Sequence, residues 1–192
     1  MVNEEEERYF RQLDAEKREA LRKKMAKEGA DLEERRRIAA STGAEMSVVD
    51  RIAALGFSGD SARIFDLMPL VAVAWADGKI QKGERAKILG LLEGRGIEEG
   101  SDAFNTMASM LEQRPDETFM RETMDALRDV VGDEHDKTQG IVNLCIEVAA
   151  ASGGLLGLGI GATVGDDERQ RIGEIAATLG VDAADAVTKQ FE

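Results

Sequence analysis

Two stretches of this chain repeat one another. Val73-Ala-Trp-Ala-Asp77-Gly78 resembles Val148-Ala-Ala-Ala-Ser152-Gly153, and Ile80-Gln-Lys-Gly-Glu84-Arg85 resembles Val164-Gly-Asp-Asp-Glu168-Arg169. Both copies reach an isoleucine four residues after the glutamate, Ile88 and Ile172. The second copy holds nine extra residues between its halves. An apolar helix, a glycine turn and a second helix make a helical hairpin. Two such hairpins in one chain are expected to pack together as a pseudo-symmetric bundle.

The rest of the chain supports an all-α fold. Among 192 residues there are two prolines and 4% aromatics, against many good helix formers. No segment alternates with period two, so no strand is expected. Ser47 followed by Asp50 resembles a capping box, with Gly56 ending that helix. Ile64, Met68, Val71 and Trp75 recur at helical spacing, and Pro69 inside that run implies a kink or a fresh start. Further helices are expected from about 82 to 95, around Ala103–Leu111, around Phe119–Val130, around Ile141–Val148 and around Ile172–Leu179. A short tail helix is expected from about Asp182.

Residues 1–40 differ from the remainder. They carry 11 acidic and 11 basic residues, so the whole net charge of −13 falls on the other 152. Opposite charges recur at i,i+4, as in Glu7–Arg11, Asp14–Arg18 and Glu19–Lys23. Apolar residues are sparse: Tyr9, Phe10, Leu13, Leu21 and Met25. The segment reads as a charged helical arm over 1–40, ahead of a helical domain over 45–192. Two roles stand for it. One is a solvated, self-paired arm. The other is partner docking or homo-oligomerisation through the small apolar cluster of Tyr9, Phe10 and Leu13.

The residues Ala76-Asp77-Gly78, Ile80 and Glu84, at the end of an apolar helix, resemble the tellurite-resistance TerB-like domain. The likeness runs over roughly residues 60–190, includes the degenerate second copy, and leaves out the arm. It implies a compact bundle of about seven helices, no catalysis, and acidic residues that hold a divalent metal. It also implies an interaction module of a bacterial stress response, working at the inner face of the membrane. Ser152 stands where a second Asp would, so the two copies are unequal as ligand sets.

The same turn can be read without a metal. With Asp77 at the fifth position of an EF-hand loop and Glu84 at the twelfth, the first and third positions are Val73 and Trp75, which cannot ligate. Gly78 fits a left-handed helix terminus. Glu84 is placed to be the third residue of the next helix, reaching back to a free N–H near Gln81, and Glu168 is placed to do the same in the second copy. Two readings stand: capping alone, or capping plus a weak cation site. The second needs Asp77, Glu84, Asp166, Asp167 and Glu168 to converge, and all-oxygen ligands select calcium, magnesium or manganese.

The insertion of the second copy carries glycine at Gly153, Gly157, Gly161 and Gly165, every fourth residue, inside an uncharged run from Val148 to Gly165. A mobile or locally buried loop, a close-packed or self-associating segment with membrane contact, and a weak spanning helix are the three readings. No Gly-Lys-Ser/Thr follows, so it is not a phosphate loop.

Several classes drop out. The acidic balance repels nucleic acid. One cysteine and one histidine exclude a Cys/His zinc set. His135 has no catalytic companions nearby, and Cys145 on an apolar face reads as core. MVNEEEERYF has neither a basic nor an apolar signal region, so the expected location is the cytoplasm. The expectation is a non-catalytic binding protein that takes a protein partner, a weakly held cation, or both. A membrane-peripheral scaffold using the glycine-rich loop is the alternative.

Overall fold

The computed structural model describes residues 4–151 and 164–180. All regular structure there is helical, in the order α1 (Glu4–Thr42), α2 (Met46–Ala54), a 3-10 helix (Ser61–Leu67), α3 (Met68–Ala74), α4 (Lys82–Gly94), α5 (Asp102–Glu112), α6 (Glu117–Val131), α7 (His135–Ala150) and α8 (Asp166–Thr178). The expected tail helix lies outside the described residues.

The breaks follow local chemistry. Pro69 begins α3 afresh rather than kinking a longer helix. It sits in the first turn, where its missing N–H leaves no intrahelical bond unmade. Ser101 and Asp116 cap α5 and α6 through their side chains, accepting from the N–H of Phe104 and from those of Thr118 and Phe119. The backbone N–H bonds of Thr118 and Phe119 hold the Asp116 carboxyl below its usual range. The expected Ser47–Asp50 box does not form. Glu45 is the N-cap, without a side-chain cap, and Asp50 instead pairs with Arg35 of α1 at 2.9 Å.

The bundle packs around α3, which lies on α6, α7 and α8. Its residues Met68–Val71, Val73 and Ala74 are all buried, which is why this helix has no polar face. The expected hairpins are α3–α4 and α7–α8. They exchange contacts: α3 packs on α7 and α8, and α4 packs on α7. The matched positions are buried alike, Val73 with Val148, Ala74 with Ala149, Ile88 with Ile172, and Leu92 with Ala176. Cys145 is core, and its thiol is pushed well up by burial.

Among the described residues, α1 is anchored by its last turns. Ile38 is fully buried, Glu34 accepts the N–H of Gly59, and the Ser41 hydroxyl donates to the Gly59 carbonyl at 2.9 Å. Upstream the helix is exposed. Glu7–Arg11 and Glu19–Lys23 close as expected, at 2.8 and 2.7 Å, whereas Asp14 and Arg18 form no ion pair.

Candidate functional site

Each hairpin builds its turn around a glutamate. In the first, Gly78 takes φ +86°, and the Asp77 carboxylate accepts the N–H of Lys79 at 3.0 Å. Gln81 is extended, α4 begins at Lys82, and Glu84 is its third residue. Glu84 Oε2 accepts the Gln81 N–H at 2.7 Å. In the second hairpin Gly165 is extended, α8 begins at Asp166, and Glu168 Oε2 accepts the Gly165 N–H, also at 2.7 Å. Gly165 is therefore an N-cap. Gly153, Gly157 and Gly161 lie outside the described residues.

The two glutamates meet. Glu84 is 1% exposed and Glu168 4%, and the Glu168 carboxyl lies near enough for Glu84 to feel its charge. Two carboxylates have no donor between them, so their closeness favours a proton on Glu84. Burial pushes the Glu84 carboxyl up to about 7, against the opposing pull of the Gln81 N–H. The charge and hydrogen bond of Glu168 raise it further, and so does the charge of Asp77. The remaining negative charge sits at the N-termini of α4 and α8, where free N–H groups favour it.

One glycine permits this approach. A Cβ on Gly83 would stand 2.1 Å from the carbonyl oxygen of Ala151, at the end of α7. Only a residue without a Cβ brings the start of α4 onto that carbonyl, one position before Glu84.

Not every expected ligand joins the pair. Asp77 is near enough for Glu84 to feel its charge, yet it is exposed and turned onto its own loop. Asp166 and Asp167 are exposed, and Asp166 pairs with Arg169 at 3.8 Å. Among the described residues no group of three or more His, Cys, Asp or Glu side chains could hold a metal. Calcium takes six to eight oxygens. Here Glu84, Glu168 and Asp77 each have an oxygen engaged by a backbone N–H. The described residues do not fit a resident divalent cation.

On the arm, Tyr9 and Phe10 are exposed and meet edge to face, with centroids 5.8 Å apart, while Leu13 is half-buried. Leu21, Met25 and Leu32 are exposed as well. Phe10, Leu21 and Leu32 stand eleven residues apart, a spacing that sequence reasoning passed over. A cleft of about 400 Å³ between α3, α6 and α8 was also missed. Its floor includes Met120, Met124 and Ile175, and Trp75 forms a wall while its indole N–H donates to the Met110 carbonyl at 2.9 Å. The i,i+4 spacing of Met120 and Met124 was the available signal. No helix among the described residues is long and apolar enough to cross a membrane.

Comparison with protein-family models, with curated proteins and with solved structures gave no match for this chain.

Proposed function

We propose that the chain is a non-catalytic, TerB-like interaction module, in which the bundle serves as a rigid mount and α1 as the surface offered to a protein partner. The setting implied by the resemblance is a bacterial stress-response or membrane-associated complex. One observation carries the reading: among the described residues a 39-residue helix is held by its last turns, and the rest exposes Tyr9, Phe10, Leu21 and Met25. Exposed aromatic and methionine side chains in a row mark a contact surface more readily than a solubilising one. The paired hairpins support the TerB-like part, since both repeated glutamates occupy equivalent buried positions.

A photocrosslinking residue in place of Phe10, in the cell that makes the protein, tests this. The expected result is a discrete protein adduct from position 10 and none from the same residue in place of Glu99, which is exposed on the bundle. No adduct from position 10 would overturn the reading.

A further inference from the structure

The charge of α1 is divided along its length. Residues 4–16 carry net −4, residues 17–29 net +4, and residues 30–42 net zero. The division persists in the folded chain, because Arg18, Arg22 and Lys27 form no ion pair among the described residues. Along the same helix runs an apolar row. An eleven-residue step returns to nearly the same angle on a helix. Phe10, Leu21 and Leu32 therefore lie on one line, with Met25 beside Leu21 and Leu13 flanking. At 1.5 Å per residue the row from Phe10 to Leu32 is about 33 Å long. Its members are 59, 58 and 42% exposed at Phe10, Leu21 and Leu32, and 63% at Met25.

A row of this length beside two blocks of opposite charge fits one occupant well. A parallel copy would set acid on acid and base on base. An antiparallel copy crossing near Lys17 sets each acidic half on a basic half. It also brings Leu13 opposite Leu21 and Phe10 beside Met25. We infer that α1 pairs antiparallel with α1 of a second copy of this chain, through Phe10, Leu13, Leu21 and Met25. This rests on the reading of α1 as the contact surface and names its partner. The two bundles then stand at opposite ends of the pair, clear of one another.

Sedimentation velocity of the full chain at about 100 µM is the test, with circular dichroism melting to confirm that the bundle is intact. The wild type is expected to be a dimer in dilute salt and to dissociate several-fold more at 0.5 M salt, since screening weakens exposed charge pairs. A chain with Lys23→Glu, Lys24→Glu and Lys27→Glu, and a chain with Glu6→Lys, Glu7→Lys and Glu16→Lys, are each expected to be monomeric. Mixed, they are expected to pair. Orientation is read separately. Leu13→Cys and Leu21→Cys chains should form a disulfide only when mixed, and the native Cys145 is buried and silent. A monomeric wild type, a dimer indifferent to charge reversal, or disulfides in the unmixed Leu13→Cys chain would overturn the inference. An adduct from position 10 with a different protein, beside a monomeric wild type, would sink this pairing and leave α1 as a contact surface. No adduct at all would remove both.

Discussion

The α3–α4 and α7–α8 hairpins place the same glutamate in the same buried position by different means. In the first, the turn is short and closed by Gly78 and Asp77, and Gly83 lets the backbone press against the Ala151 carbonyl. In the second, the sequence carries the glycine-rich insertion at that point, and the residue matching Gly83 is the exposed Asp167. Trp75, tied to the Met110 carbonyl, is matched by Ala150. What both retain is the third helical residue, its bond to the N-cap N–H, and the isoleucine one turn later. The comparison separates what the pair requires from what each hairpin adds. The glutamates and their caps are required, whereas the acidic residues around them, Asp77, Asp166 and Asp167, stand at different places and are all exposed.

The largest expected effect comes from breaking the pair. Glu84→Ala removes the acceptor of the Gln81 N–H, opens a cavity, and leaves the buried Glu168 without the carboxyl that faces it. A loss of about 3 kcal/mol is expected in urea unfolding. Glu168→Ala should lose a similar amount. If one substitution were tolerated and the other not, the equivalence of the hairpins would fail. Next comes the close approach. Gly83→Ala forces a shift of the α4 or α7 backbone and should cost about 2 kcal/mol, whereas Asp167→Ala at the matching, open position should stay within about 0.5 kcal/mol. Equal effects would mean that Gly83 does not set the spacing. The smallest effect belongs to the turn. Asp77→Asn keeps an oxygen for the Lys79 N–H and should change stability by less than about 0.5 kcal/mol. Trp75 fluorescence should stay flat in calcium or manganese below about 1 mM, the weak end of calcium affinities. A saturable change abolished by Asp77→Asn would restore the cation site.

Much of this arrangement was legible in residues. The helices follow their apolar spacing, Gly132 takes positive φ at the end of α6 and Gly78 in the turn beyond α3 rather than at its last turn, and Glu84 and Glu168 cap as their position dictates. The burial of those glutamates was not legible. A glutamate in a helix's first turn normally faces water, and only a partner 84 positions away makes its burial tolerable. The same holds for Asp50, whose place in a local box was taken by Arg35, and for Trp75, whose acceptor is on α5. Local chemistry reads from sequence. Which two local solutions are pressed together depends on packing between distant segments.

The raised carboxyl of buried Glu84 is the centre of the account, and the pH dependence of stability tests it most directly. The Glu84 carboxyl titrates higher in the folded chain, about 7, than in the unfolded one, about 4.5. The folded state thus binds the proton more tightly. That contribution is fully present below about pH 4.5 and is lost as pH rises through 7. The loss is on the order of 2–3 kcal/mol. Glu84→Gln mimics the protonated form, since its amide oxygen can accept the Gln81 N–H and its amide nitrogen can donate to Glu168. Urea unfolding at pH 5 and pH 8 should show the wild type losing stability between the two, while Glu84→Gln matches it at pH 5, exceeds it at pH 8, and has a much shallower slope. Parallel pH profiles for the two proteins would contradict a proton held on Glu84.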